Sequence, residues 1–277
     1  MTWSSGLRRV PAGLTMVLIT LIALGPIYWV VVSAFKTPQE IIRPTPTLWP
    51  QTWTTHNFSR LLETTPYTTY LSNSLLVALG TTVLTVVLAV CAAYGLYRLE
   101  VPGSGMIAGL ILVAFMIPGT LLIVPLYGIL SDIGLINSLA GLILVNVAFT
   151  APFCTWLLRG FIMSVPKEID EAAAIDGAGP VRTMFQIVLP LMAPGLATAV
   201  VYSFVFAWTE YVYATQFILD DRLHTLPIGL SAIVGQYTID WGLVMAGTVF
   251  TILPTLILFI VAGRYFVGGL ITGANKT

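Results

Sequence analysis

Glu210 is the only ionisable side chain well inside a long apolar run of this 277-residue sequence. An unpaired charge at membrane depth is costly, so this carboxylate must face protein or water. Trp208, Thr209 and Tyr211 surround it. A carboxylate beside aromatic rings suits a polyhydroxylated solute, because it accepts hydroxyl hydrogen bonds while the rings cover apolar faces. The same carboxylate also suits a structural role, bonded to a neighbouring helix or to a second subunit. Asn146, Thr150 and Tyr202 are further polar groups within apolar runs and are candidates to line a path with it.

Other chemistry has little footing. Asp220, Asp221, Arg222 and His224 lie close together, but their spacing is not that of a metal site and a hydrated acidic loop explains them. Cys91 and Cys154 fall within apolar runs, where a thiol packs as a small hydrophobe, and neither is assigned a redox or metal role. No Gly-rich phosphate loop ending in Lys and Ser or Thr is present, so ATP hydrolysis is not expected on this chain. A membrane-embedded enzyme would need clustered His, Asp, Glu or Ser groups at membrane depth, and these are missing. The formal net charge of zero gives no electrostatic support for nucleic-acid binding.

The elements that must position these groups are membrane helices. Apolar residues make up 57% of the chain and charged residues only 9%, far from the roughly 25% of soluble domains. A bilayer core of about 30 Å needs roughly 20 helical residues to cross. Six runs reach that length, at about 13–35, 71–97, 106–130, 137–158, 190–219 and 242–263. Backbone in lipid must satisfy its own polar groups, so each run is expected to be a helix that tolerates Pro26, Pro118, Pro125, Pro152 or Pro254. The alternating ten-residue segments of a β-barrel are absent. Arg8 and Arg9 precede a run too long for a signal-peptide core, which reads as an uncleaved first helix.

With six spans both termini lie on one side. Placing them in the cytoplasm puts Arg8, Arg9, Arg98, Arg159, Lys167, Arg182, Arg264 and Lys276 inside and Lys36, Arg43, Arg60 and Arg222 outside, a split of eight to four that favours this topology. Residues 1–36 then form an N-terminal tail and first helix, 37–70 an extracytoplasmic loop, 71–267 a core of five helices, and 268–277 a cytoplasmic tail. Trp49 and Trp53 in the first loop suit either the membrane interface or a docking face for a partner. The short turn at 131–136 makes the third and fourth spans antiparallel neighbours.

The longest cytoplasmic excursion lies at 160–189, between the fourth and fifth spans. Ser164, Val165 and Pro166 read as a helix entry, and Glu168, Asp170 and Glu171 suit the positive end of its dipole. Gly177 is the expected stop, and Gly179-Pro180 a turn into a second short helix. Ile169, Ala172, Ala173 and Ile175 offer a small apolar surface that another protein can approach closely.

The spacing Glu171-Ala172-Ala173, Gly177, Ile187, Leu189-Pro190 resembles the signature loop of permeases from binding-protein-dependent ATP-driven importers, the ABC importers. Asn73-Ser74-Leu75, Ala92-Ala93-Tyr94, Arg98, Ile117-Pro118, Asn137-Ser138 and Gly141-Leu142-Ile143 are similar to the carbohydrate-uptake branch of maltose-transporter type. The resemblance implies an all-α membrane protein of six transmembrane helices with the type-1 importer permease fold and a coupling helix between helices 4 and 5. It implies ATPase coupling through Glu171, Ala172, Ala173, Asp176, Gly177, Ile187, Leu189 and Pro190. A C-terminal ATPase contact is implied through Gly273, Ala274 and Lys276, although Asn275 and Thr277 depart from the usual tail. Glu210, Trp208, Tyr211 and Asn146 are the candidate substrate path, and Trp208-Thr209-Glu210-Tyr211 resembles a segment with Asn in place of Thr209.

The implied function is half of the translocation pathway of an ATP-driven sugar importer in the bacterial plasma membrane. The implied partners are a second homologous permease, two ATPase subunits carrying ATP and magnesium, an extracytoplasmic solute-binding protein and the lipid bilayer. The chain itself is expected to bind no cofactor or metal and to be non-catalytic. A polyol or a glycerol phosphate is an alternative cargo. A stand-alone secondary transporter is a rival, but it would need ion-coupling carboxylates or a pair of broken helices, and neither is evident in the sequence.

Overall fold

A computed structural model describes the backbone of residues 4–99, 101–234 and 239–274, and side chains at 13–99, 101–234 and 239–265. Arg8, Arg9, Gly273 and Ala274 therefore have a described backbone only, and Lys276 lies outside the described residues. Among the described residues the chain is helical apart from turns and one isolated bridge between Val234 and Ile239. In chain order the helices are α1 (Ser4–Ala34), α2 (Pro38–Ile41), α3 (His56–Thr64), α4 (Tyr67–Arg98), α5 (Ser104–Met116), α6 (Ile123–Asp132) and α7 (Leu139–Ser164). They continue as α8 (Glu168–Ile175), α9 (Pro180–Thr183), α10 (Leu189–Leu191), α11 (Ala193–Trp208), α12 (Val212–Phe217), α13 (Leu226–Ile233) and α14 (Trp241–Ala274).

Four expected spans are single helices long and apolar enough to cross a bilayer: Gly13–Ala34, Tyr67–Arg98, Leu139–Ser164 and Trp241–Tyr265. The other two are broken. Ser104–Met116 and Gly119–Asp132 meet at 93°, and Pro180–Leu191 and Ala193–Trp208 at 84°. Pro118 is thus not absorbed within a span. It disfavours helical geometry at Ile117, which is extended at φ −70° and ψ 124°, and α5 ends one residue earlier. The second bend falls at Met192, between Pro190 and Pro194. Pro190 has no N–H for the Gln186 carbonyl, and the preceding turn widens into a π-helix at Met184–Val188, with the Leu189 N–H bonded to the Met184 carbonyl. Pro152 and Pro254, by contrast, sit inside α7 and α14.

The chain divides into two compact units, Met1–Thr68 with Gly229–Leu253, and Thr69–Ile228 with Pro254–Thr277. In the first, the segment expected as a loop is built around buried ions. Lys36 is 1% exposed, lies 4.4 Å from the Trp29 ring centroid and donates to the Thr47 carbonyl. Glu40, also buried, accepts from the Thr47 hydroxyl at 2.5 Å and the Gln51 N–H at 3.0 Å. These bonds hold the Glu40 carboxyl below its ordinary value of 4.5, the Thr47 hydroxyl contributing most and burial opposing it. Arg60 pairs with Asp240 at 2.5 Å, and the Tyr67 hydroxyl donates to the Gly247 carbonyl at 2.7 Å. Trp49 and Trp53 stay more than half exposed, packed edge to face on each other.

In the second unit α4 and α7 run parallel. Gly80 faces Ile143, and Thr85 bonds Thr150 at 2.6 Å. Farther along, Ala89, Ala93 and Tyr94 pack with Cys154, Leu158 and Ile162, and with Met184, Val188, Met192 and Ala199. Lipid supplies no hydrophobic drive between helices, so close approach of small residues such as Ala89, Ala93 and Ala199 is what holds such a seam together. Each unit carries open apolar faces: Leu14, Val17 and Leu21 in the first, and Val83, Val87, Ile257 and Ile260 in the second, are all more than half exposed.

Candidate functional site

The helix-turn-helix at 160–189 forms, with one change at its entry. Ser164 does not cap α8. Helix α7 continues to Ser164, whose hydroxyl turns back to the Phe161 carbonyl, and α8 begins at Glu168 after Lys167. Glu168, Asp170 and Glu171 occupy its first turn, where the helix dipole favours carboxylates. Its end is a Schellman motif: the Ala178 N–H bonds the Ala173 carbonyl at 2.9 Å and the Gly177 N–H bonds the Ala174 carbonyl at 3.0 Å. Gly177 sits at φ +77°, a left-handed conformation that any side chain would strain. Pro180 then opens α9 in its first turn.

The small apolar surface expected on α8 is divided between two directions. Ala173 is buried and Ile169 packs on the core, whereas Ala172 is exposed and Ile175 is 87% exposed. Glu171, Asp176 and Gly177 are exposed beside them. Val181 and Phe185, on the next short helices, are 68% and 54% exposed and line a shallow depression of about 510 Å³ with Arg182 and Gln186. Leu189 packs against the core, Ile187 is half-buried and Pro190 is exposed at the bend.

One buried arginine fixes this surface. Arg98, the last residue of α4, donates Nε to the Asp170 carboxylate in the first turn of α8. Its Nη1 donates to the Val165 carbonyl at 2.7 Å and the Ile162 carbonyl at 3.4 Å, and its Nη2 to the Pro166 carbonyl at 2.9 Å. A single planar guanidinium therefore joins the C-terminal end of α4, the C-terminal carbonyls of α7 and the N-terminal turn of α8, and only 4% of its side chain is exposed. The sequence shows Arg98 as a cation and Asp170 as a helix-start acid, but nothing local pairs residues so far apart.

The first helix break and the non-helical link between α11 and α12 border a cavity of about 460 Å³. Phe115, Ile117, Gly119 and Thr120 come from the first break, Thr209, Glu210 and Tyr211 from the link between α11 and α12, Val212 and Tyr213 from the start of α12, and Phe149, Tyr202 and Phe206 from α7 and α11. The broken-helix pair that the sequence did not disclose is thus present, and irregular backbone at membrane depth is tolerated where it borders a cavity. Rings pack around the wall. Phe149 stacks on Tyr213 with centroids 5.0 Å apart, and Phe153 lies 4.1 Å from Tyr202. Gly119 must lack a Cβ, which would stand 2.3 Å from the Tyr213 hydroxyl.

Of the residues expected on the path, Glu210, Tyr211 and Tyr202 line this cavity. Trp208 does not: it is 1% exposed and stacks on Phe204. Asn146 and Thr150 are fully buried, and Asn146 has no hydrogen-bond partner for either side-chain polar atom, nor has Thr81 for its hydroxyl. Glu210 caps α12, its Oε1 accepting from the Tyr213 N–H at 2.7 Å and its Oε2 from the Ala214 N–H at 2.9 Å. Both carboxylate oxygens are thus engaged. Apart from Tyr202 and Tyr211, the aromatic wall is not evident in the sequence, although Phe149 and Phe153, like Tyr202 and Phe206, are four residues apart and so share a helix face.

At the far end of the same unit, Asn137, Asn73 and Ser74 hold the segment at 217–226. Asn137, at φ +55°, donates its N–H to the Phe217 carbonyl, and its Oδ1 accepts from the N–H groups of Leu219 and Asp220, both at 2.9 Å. Asn73 Nδ2 donates to the carbonyls of Arg222 and His224, and Ser74 Oγ accepts from the Leu226 N–H. Asp220 pairs with Arg222, whose hydrogen bonds hold its carboxyl down at about 2. Among the described residues no group of His, Cys, Asp and Glu is placed to hold a metal.

A family model described as "Binding-protein-dependent transport system inner membrane component" matches residues 85–266. The chain is 35% identical to the sulfoquinovosyl glycerol transport system permease protein of Agrobacterium fabrum, over 91% of this chain and 89% of that one. It is 34% identical to a diacetylchitobiose uptake system permease protein of Streptomyces coelicolor, over 97% of each. To the trehalose/maltose transport system permease protein of Thermococcus litoralis it is 33% identical, over 98% of each. Among solved structures, a chain of a bacterial ABC transporter involved in the import of the acidic polysaccharide alginate superposes with a TM-score of 0.83 at 20% identity, covering 96% of this chain and 99% of that one, which is a likeness of fold.

Proposed function

The chain belongs to the inner-membrane components of binding-protein-dependent transport systems, and on that premise we propose that it forms half of the translocation pathway of an ATP-driven carbohydrate importer. A second, related permease completes the pathway, two ATPase subunits dock beneath, and an extracytoplasmic binding protein delivers the solute. This subunit transmits force and lines the path, and ATP hydrolysis belongs to its partners. The excess of cations at 8–9, 98, 159–182 and 264–276 supports placing both termini and the α8–α9 loop in the cytoplasm.

The observation that carries the reading is the Arg98 anchorage of α8. A docking helix transmits movement only if it is stiffly joined to the helices it must move, and the Arg98 fork joins α8 to α4 and α7. The outer face, with Ile175, Glu171, Asp176, Val181 and Phe185 exposed, offers apolar contact flanked by carboxylates that can meet basic groups on an ATPase. ATP-driven closure of the ATPases pushes this loop and turns the core helices toward an outward-open state, and hydrolysis reverses the movement. The names of the related permeases, which include trehalose/maltose and diacetylchitobiose systems, support a sugar as cargo. The aromatic cavity beside the first helix break and the α11–α12 link suits it, since rings cover apolar sugar faces.

The double variant Glu171→Lys with Gly177→Asp tests the assignment. Loss of uptake with normal membrane insertion is expected. Unchanged uptake at unchanged ATP consumption would refute it.

A further inference from the structure

We infer that the Glu210 cavity selects against anionic solutes, a charge filter that rests on the carbohydrate reading above and narrows it to uncharged glycosides. Glu210 is the only ionisable acid or base among the lining groups other than tyrosine hydroxyls, and among the described residues no Lys, Arg or His reaches the wall. The N–H groups of Tyr213 and Ala214, which would otherwise be free to receive an anion, are already bonded to Glu210. A phosphate, sulfonate or carboxylate entering here would shed its water without gaining a cation or a free donor pair from these groups, and it would stand beside a carboxylate. The hydroxyls of Thr120, Thr209 and Tyr211 and the faces of Phe115, Phe149 and Phe206 suit a neutral, ring-bearing solute. The cavity volume, about 460 Å³, lies within the range of roughly 300–1,000 Å³ usual for small-ligand sites.

The consequence is a division among otherwise similar importers. A glycerol phosphate, a sulfonated glycoside or an acidic oligosaccharide needs compensating charge that this chain does not place at its cavity. Glu210 is then a specificity-determining residue as well as a helix cap, and the two roles are separable. A cap alone affects all solutes alike; a charge filter changes the ratio between a neutral solute and its anionic counterpart.

The test is equilibrium dialysis of radiolabelled solutes against the intact permease–ATPase complex in nanodiscs, without binding protein, so that only the membrane path discriminates. Two matched pairs serve as probes: glucosyl glycerol with sulfoquinovosyl glycerol, and trehalose with trehalose 6-phosphate. In the wild type the neutral member of any pair that binds is expected to bind at least about tenfold more tightly, equivalent to about 1.4 kcal/mol. Glu210→Gln is expected to shrink that ratio at least about threefold, whatever it does to overall affinity. Equal or tighter binding of the anionic member in the wild type would overturn the filter, with or without a foldable variant, and so would an unchanged ratio in Glu210→Gln. Binding of none of the four while amino acids or peptides bind would instead overturn the carbohydrate reading on which the filter depends.

Discussion

The Nε of Arg98 donates to the carboxylate of Asp170, tying the last residue of α4 to the first turn of α8. The two residues stand at the ends of different helices, and the bond makes the exposed face of α8 an extension of the membrane core. On the function proposed above, force applied at Ile175 or Glu171 would reach α4 and α7 through this bond rather than through the chain between them alone.

Arg98→Lys keeps the charge but cannot span the Asp170 carboxylate and the carbonyls of Ile162, Val165 and Pro166 together. It is expected to weaken the anchorage by about 2–4 kcal/mol. Solute transported per ATP hydrolysed, measured in proteoliposomes, should fall about tenfold or more while hydrolysis persists. Asp170→Asn retains an acceptor and should cost less, about 1 kcal/mol.

Gly177→Ala places a Cβ at φ +77° and is expected to cost about 1 kcal/mol or more in the closing turn of α8. Hydrogen exchange at the amides of Gly177 and Ala178, the two donors of the turn, should accelerate about fivefold. Gly177→Asn, which tolerates the left-handed region, should lie between wild type and Ala.

Asn137→Ala removes the acceptor for the N–H groups of Leu219 and Asp220. Loss of two hydrogen bonds is expected to raise exchange at those amides by about tenfold or more. Exchange at Gln51, in the other unit, serves as the internal control and should not move.

The Glu40 clip has a defined acid limit. Its carboxyl is held below the ordinary 4.5, chiefly by the Thr47 hydroxyl, so its contribution is fully present above that value and is lost as pH falls through the lowered one. Protection of the Gln51 amide, which donates to Glu40, should hold at pH 5 and through the ordinary 4.5, and be lost only at more acid pH. Glu40→Gln should abolish this pH dependence.

Much of the fold is legible in the sequence because the bilayer imposes a length rule. The runs at 13–35, 71–97, 137–158 and 242–263 each correspond to one long helix. Gly177 and Gly179-Pro180 were equally readable, since their backbone demands are local. The breaks were not. A proline within an apolar run either sits inside a helix, as Pro152 does, or ends one, as at Pro118, and the difference lies in tertiary packing. Ser164 was misread as a cap because the polar stretch after 158 is still helix, with Leu158 and Ile162 packed into the core and Arg98 bonded to the carbonyls at its end. The Arg98–Asp170 bond and the aromatic wall depend on contacts between residues distant in sequence, which one chain read linearly does not reveal.

Crosslinking tests the central claim most directly. A photoreactive amino acid at position 175, in the complete importer, should yield an adduct with the ATPase subunit, because Ile175 is the most exposed apolar side chain of α8. The same probe at position 222, whose arginine side chain is 88% exposed at the opposite end of the topology proposed above, should yield none. An ATPase adduct from position 222, or its absence from position 175 in a transport-competent complex, would contradict the role assigned to α8.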